Sequence, residues 1–351
     1  MAIKIKDVAE YTKLSVSTVS LVLNGKAEAL RISKETVNKV LSAVEQLSYK
    51  PNLLAKSLRE GFTHIIGFVV SDVANAYFIN IAGHLEKEAL KNGYRVLFGG
   101  ANEDDRTCID TIDAFVNLKV DGLVIVPTEG MVDRLKILKN ENVPFVLLDR
   151  YFDQLEADSI LLNNFKSGFD AVEYFISKGK RRIATLSYHT SLLHLEERMD
   201  GYRAALEKYG IPYDEALTPK IPFSKIEDDE VLDIIRNLVE RENIDAIFFQ
   251  TNLAAISGLR AIQSLGYDVP EKISVICFNN NTFYDLLLLP VNSIVQPVDK
   301  LGIEAVNLLI NKINQPQGDI SFKKYIYDAE TIIEREKNKE GNICATTKKI
   351  I

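Results

Sequence analysis

The chain has 351 residues, 46% of them hydrophobic and 26% charged, a globular composition with length enough for two or three folding units. No apolar run approaches the ~18 residues of a membrane span, and residues 1–6 alternate charged with apolar side chains, so neither a span nor a secretory leader is expected. Residues 1–61 hold ten Lys+Arg against six Asp+Glu (net +4) and the remainder 32 against 43 (net −11), which makes up the overall −7. A small basic head followed by an acidic body is expected where only the head meets phosphates. Three widely separated cysteines, Cys108, Cys277 and Cys344, predict reduced thiols in a cytoplasm.

In chain order, the stretch from Asp7 to Asn24, DVAEYTKLSVSTVSLVLN, reads as two short helices joined by a tight turn. Val8, Ala9 and Tyr11 give the first an apolar face, and Lys13-Leu14 make the turn. Ser15 is placed to cap the second helix, in which Val19, Val22 and Leu23 fall at i, i+3 and i+4 and face a small core. Ser17, Thr18, Ser20 and Leu21 are left outward. Small hydroxyl residues at the start of a second helix suit insertion into a DNA major groove, although by periodicity alone an ordinary helical hairpin reads the same way. Ser33 then caps a third helix, with Glu35 favourably placed against its dipole and Val37, Val40, Leu41, Val44 and Leu47 in helical register. Lys50-Pro51 ends that unit. PNLLAKSLREG, closing at Gly61, reads as a helix of about two turns, too short to be stable alone.

From His64 the texture changes to alternating strands and helices. HIIGFVVS, YRVLFGG, DGLVIVP, PFVLLD and DSILLN are continuous apolar strands separated by amphipathic helices; RRIATLS, IDAIFFQ and ISVICF form a second such series. Repeated βα units of this kind predict parallel sheets covered on both faces, here two doubly wound lobes. Ligands sit outside the carboxyl ends of such strands, so two facing lobes define a cleft. FGGANEDD (98–105) lacks dinucleotide-binding spacing and reads as a plain βα loop. IEDDE (226–230) reads as a solvated helix start. The four histidines read as structural or exposed, and no HExxH, CxxC or catalytic set occurs. Neither enzymatic activity, a metal nor a cofactor is therefore expected. Residues 336–351, Lys-rich with Asn and Gly and without leucine heptads, read as a frayed tail.

IKIKDVAEYTKLSVSTVSLVLNG and ISKETVNKVLSAVEQLSYKPNLLAKSLR closely resemble the N-terminus of LacI/GalR-type bacterial transcription regulators, and the likeness continues to about residue 335. The resemblance implies a small all-α helix-turn-helix head (1–50), a hinge helix (51–61), an α/β two-lobed periplasmic-binding-protein-like body of two doubly wound parallel sheets (62–335), and a flexible tail (336–351). The chain would cross between lobes near 162, 292 and 323. Lobe 1 would then hold about 62–162 and 293–322, and lobe 2 about 163–292 and 323–335. DNA contacts carried over from the family fall on Ser15, Val16, Ser17, Thr18, Ser20, Leu21, Asn24 and Tyr49, and on Asn52, Ala55 and Leu58 of the hinge. In the family a hinge leucine, here Leu58, is wedged into the minor groove and bends the duplex. Without the family, Leu53, Leu54 and Leu58 read as linker residues packed on a neighbour. Leu21 stands where many relatives have arginine; lacking a donor, it offers a base only apolar contact.

Effector contacts implied by the resemblance are Ser71, Tyr77, Phe78, Asp149, Arg150, Arg198, Phe223, Thr251 and Asn279. Arg198, three before Gly201 in ERMDGY, matches the arginine with which the family clamps its effector. Thr251 stands where relatives often have asparagine; Asn279 and Asn163 stand where aspartate is common. Amides in place of carboxylates beside two guanidiniums predict a sugar carrying an anionic group. In the alternative, Asp149 or Asp72 neutralises the arginines and the ligand is neutral. The expectation is a homodimeric repressor, with no membrane partner, that binds double-stranded operator DNA and is switched by a small sugar-like effector; a non-sugar co-repressor would suit the same fold. A sugar-transport protein with this body would need a signal sequence and no basic head, and a Rossmann-type enzyme would need the glycine fingerprint and catalytic groups missing here.

Overall fold

The computed structural model describes residues 3–49, 61–226, 229–287, 289–315, 322–337 and 343–349. Asn52, Ala55 and Leu58 of the expected hinge lie outside the described residues. The chain divides into two compact units, residues 1–63 and 64–351.

The first unit is three helices, α1 Ile5–Thr12, α2 Val16–Leu23 and α3 Lys34–Gln46. Lys13 adopts the left-handed conformation (φ 55°) that closes α1, and Leu14 follows in the turn. Ser15 and Ser33 cap α2 and α3, their hydroxyls accepting from the amides of Thr18 (3.0 Å) and Thr36 (3.2 Å). Val8, Val19, Val40 and Ala43 form the buried centre. The face of α1 differs from expectation. Tyr11 is 57% exposed and donates its hydroxyl to Gln46 Oε1 (2.6 Å), while Thr12 is buried. Threonine can occupy that place because its hydroxyl donates to the Val8 carbonyl within the helix (2.7 Å). Leu41 likewise turns outward and Ala43 inward.

The second unit holds two sheets. The first is wholly parallel, with order β11-β5-β4-β3-β1-β2. Its strands are β1 Ile65–Val70, β2 Arg95–Gly100, β3 Gly122–Ile125, β4 Phe145–Leu148, β5 Ser159–Leu162 and β11 Lys324–Tyr327. Helices α4 Ala76–Lys91 and α11 Val298–Asn314 cover one face, and α5 Asp105–Asn117 and α6 Val132–Asn140 the other. Alternate residues of β1 explain its unbroken hydrophobicity: Ile66, Phe68 and Val70 pack towards α4 and α11, and Val69 towards α5 and α6.

The second sheet runs β13-β12-β10-β9-β8-β6-β7. Its strands are β6 Ile183–Tyr188, β7 Lys220–Ile221, β8 Ala246–Phe249, β9 Ser274–Phe278, β10 Asn292–Val295, β12 Thr331–Lys337 and β13 Ile343–Lys349, with helices α7 Asn164–Ser177, α8 Leu193–Lys208, α9 Glu230–Glu240 and α10 Asn252–Ser264. It is not wholly parallel, since β12 runs antiparallel to β10, and β13 antiparallel to β12. Part of the expected frayed tail is thus the edge strand β13. Its β-branched Ile343, Thr346 and Thr347 favour a pleated surface, and it pairs along the whole of β12.

Two of the three crossings fall later than expected. Ser293 to Val295 stay in the second lobe, because β10 pairs with both β9 and β12, and the chain crosses at Gln296-Pro297. Residues 324–327 stay in the first lobe as β11, which pairs with β5, so the last crossing lies at 328–330. Asn163 at the first crossing donates to Asp328 at the last (2.9 Å). Among the described residues no helix is long and apolar enough to cross a membrane.

Candidate functional site

On the helical head, Ser15, Val16 and Ser17 are exposed at the start of α2, and Thr18, Ser20, Leu21 and Asn24 are half-buried along it. The Asn24 amide donates to the Ser20 carbonyl (2.6 Å) and thereby closes the end of α2. Tyr49, expected at the DNA surface, instead places its ring in the core of the head; it follows a leucine and a serine at the end of α3, where an aromatic ring covers the gap between helices.

In the body, the carboxyl ends of the strands of both sheets surround one cleft. Its empty space is about 850 Å³, part of it open to solvent, within the size of small-molecule sites. On the first-lobe side Asn75 caps α4, accepting from the Tyr77 amide (3.1 Å). It brings Tyr77 and Phe78 to the wall, where both rings also pack into the core beneath α4. The Tyr77 hydroxyl donates to Asp149 Oδ1 (2.8 Å). Asp149 follows β4 and Asn279 follows β9, and both take left-handed backbone (φ 67° and 78°). Such conformations cost about 1–3 kcal/mol and persist where the surroundings impose them, commonly at ligand sites.

Arg150 is held by a carboxylate that sequence reading passed over. Its guanidinium makes a two-pronged ion pair with Glu103 (Nη1 to Oε2 2.7 Å, Nη2 to Oε1 2.6 Å), and Nε lies 3.9 Å from Asp149. Arg198, on α8, has no carboxylate within ion-pairing distance among the described residues. It donates to Asn164 Oδ1 (3.0 Å) and the Gln250 carbonyl (2.6 Å) and lies 3.4 Å over the Phe278 ring. Burial pulls it down to about 10, against the pull of Asp149, so it stays charged at neutral pH. Burial also pushes the Asp149 carboxyl up, opposed by Arg150 and Arg198.

Close backbone packing fixes where Arg198 stands. A Cβ on Gly168 of α7 would lie 2.1 Å from the Arg198 carbonyl oxygen, and one on Gly201 2.0 Å from that of Phe165. Neither neighbour is a flexible side-chain end, so the helices must separate to admit a methyl. Gly168→Ala should cost about 1–3 kcal/mol of stability, read as a fall in melting temperature. An unchanged melting temperature would show that α7 and α8 are not locked at this point.

The second-lobe wall adds Phe223 edge-on to Tyr188 (5.3 Å between ring centres, 83°). Thr251 caps α10 through its hydroxyl, which also donates to Tyr188 (2.7 Å). Two of the four histidines, read from the sequence as structural or exposed, line the cleft: His189 is exposed and His194 buried. Burial, then Arg150 and Arg198, pull His194 well below its usual value, so it is a neutral imidazole. Ser71 is fully buried and not part of the lining; Asp72 and Asn75 are found there instead. The other eight expected effector residues all line the cleft. Among the described lining atoms, Arg150 Nε, His194 Nδ1, Asn252 Oδ1 and Gln296 Oε1 are buried without a hydrogen-bond partner. Buried polar atoms need partners, and water or ligand hydroxyls can supply them.

Among the described residues, polar contacts join the lobes across the cleft at three places, centred on Glu129, Glu197 and Asn75. Glu129 accepts from the Ser191 amide (2.8 Å) and the Thr190 hydroxyl (3.1 Å), Tyr151 donates to Glu197 (2.6 Å), and Asn252 donates to Asn75 (3.4 Å). Burial pushes Glu129 up, but the Ser191 and Thr190 donors outweigh it and hold the carboxyl below its usual value. Among the described residues no group of three or more His, Cys, Asp or Glu side chains is placed to hold a metal ion.

A helix-turn-helix head in one chain with a two-lobed α/β body and an interlobe cleft defines a DNA-binding transcription regulator. Residues 4–52 match the family described as bacterial regulatory proteins, lacI family, and residues 172–336 the periplasmic binding protein-like domain. The HTH-type transcriptional repressor PurR of Actinobacillus pleuropneumoniae is 26% identical over 335 residues, covering 94% of this chain and 97% of its own. The lac repressor dimer, solved with operator and the anti-inducer ONPF, superimposes over 100% of both chains with a TM-score of 0.80 at 21% identity. A LacI family regulator from Enterococcus faecium with bound ribose covers 76% of this chain and 96% of its own, with a TM-score of 0.66 at 23% identity. The chain thus joins a lacI-family helix-turn-helix domain to a periplasmic binding protein-like domain, as its curated relatives among the LacI-family regulators do.

Proposed function

We propose that this regulator is a homodimeric repressor whose operator affinity is set by a neutral sugar or related polyol bound between the lobes. The observation that carries the neutral reading is the two-pronged Glu103–Arg150 pair. It removes one of the two cations on which an anionic ligand was expected to rest. The lining then sets four carboxylates, Asp72, Glu103, Glu129 and Asp149, against two guanidiniums, with His194 neutral. An anionic effector would meet a surplus of like charge. Hydroxyl groups would instead satisfy His194 Nδ1, Asn252 Oδ1 and Gln296 Oε1, with aromatic rings against an apolar sugar face. The ribose-bound relative and the operator-bound lac repressor support the two halves of this reading.

Operator bases would be read from the exposed start of α2, with phosphate contacts from the basic head supplying salt-dependent affinity. The Leu58 wedge remains part of the proposal on the family resemblance. A sugar changes lobe closure and with it operator affinity, a coupling of about 1–3 kcal/mol. Thermal-shift measurements with matched pairs (ribose and ribose 5-phosphate, glucose and glucuronate, cellobiose and its phosphate) test the effector class. A neutral member at a hundred times its Kd should stabilise by about 2.7 kcal/mol. Stabilisation by the anionic members alone would overturn it.

A further inference from the structure

Arg335 of β12 does not line the cleft, yet its side chain is only 1% exposed and fully engaged. Nε donates to Asp285 Oδ1 (2.9 Å), Nη1 to the Val291 carbonyl and Ser293 Oγ (both 3.0 Å), and Nη2 to Asn280 Oδ1 (3.1 Å). Its own backbone amide donates to Asn292 Oδ1 (2.8 Å). Every one of these partners lies on β10 or on the connection that leads from β9 to it. Asn280 directly follows Asn279, the cleft residue with left-handed backbone, and accepts in addition from Ser293 (2.9 Å). Asn279 itself accepts from Gln296, which stands at the second crossing between lobes.

This arrangement is not a buried ion pair in the ordinary sense. Its single carboxylate partner among the described residues, Asp285, is 58% exposed, so Coulomb attraction there is screened and weak. What the guanidinium supplies is a rigid fork of donors that fixes several acceptors at once, and lysine cannot reproduce that. A fully satisfied buried network specifies one conformation of the segments it joins. We propose that Arg335 is a positioning residue for the effector cleft: it holds the β9–β10 connection so that Asn279 is presented to the ligand. The proposal rests on the reading of the cleft as the effector site.

Amide hydrogen exchange on the full chain, read by peptide, tests this without any ligand. In Arg335→Lys, exchange between residues 279 and 291 should rise by about tenfold or more, with β6 and β8 as protected as in the unchanged protein. If that variant does not fold, Asp285→Ala removes one anchor from the exposed side and should give the same local pattern more weakly. A merely structural role would raise exchange across the whole second sheet; that outcome, or an unchanged 279–291 segment, would overturn the proposal. Calorimetric titration with D-ribose adds the functional readout, with affinity expected to fall about tenfold in Arg335→Lys. Were D-ribose not to bind the unchanged protein, ribose would fail as the effector, while the exchange pattern would still decide on Arg335.

Discussion

Arg198→Met should leave operator binding by the unliganded protein at its original level while weakening the bound sugar by about ten- to a hundredfold, so that the variant represses but no longer responds. The loss corresponds to one or two charge-assisted hydrogen bonds to ligand hydroxyls. Stability should change little. Among the described residues Arg198 has no carboxylate partner within ion-pairing distance, and burial already works against its charge; an apolar side chain of similar length relieves that cost. Against this, Asn164 Oδ1 and the Gln250 carbonyl lose a donor. Gel-shift titration of operator with and without sugar, beside a melting curve, separates the two functions. Loss of operator binding without ligand would mean that Arg198 serves the fold; a preserved sugar response would mean that it does not touch the ligand.

What could be read from the sequence was what local pattern encodes. Continuous apolar strands bounded by helices placed the carboxyl ends, and with them Tyr77, Asp149 and Asn279, at one cleft, while Arg198 on α8 was pointed to only by the family resemblance. The misses are of a different kind. Glu103 sits in a polar loop that looks solvated, and only the approach of Arg150 from the end of β4, with β3 and β1 between their strands, gives it a role. Tyr188 was hidden as the last residue of a strand, where its contact with Phe223 depends on the fold. The edge strand β13 is fixed by pairing with β12, which lysine-rich composition obscures. The late crossings have the same cause, since β10 and β11 owe their lobes to partners distant in sequence. Thr12 and Tyr11 exchanged places because burial follows hydrogen-bond satisfaction as well as apolarity.

Arg150→Met should cost about 3–5 kcal/mol of folding stability near pH 8, because it leaves Glu103 and Asp149 buried or half-buried without their cation. Its pH dependence distinguishes this cause from a packing defect. Burial already holds the Asp149 carboxyl above its usual range, and Arg150 is the first of the charges that oppose the rise. Removing Arg150 therefore raises the folded-state value further. The folded variant then binds more protons than its unfolded chain, so its stability falls as pH rises through that interval. The deficit measured by urea unfolding should be smaller at pH 5 than at pH 8. Adding Glu103→Gln to Arg150→Met should recover part of it, since an amide needs no counter-charge. A deficit independent of pH, with no recovery in the double variant, would show that Arg150 acts by filling space. The neutral-effector reading would then lose its main support, because that reading requires Glu103 and Arg150 to cancel each other's charge.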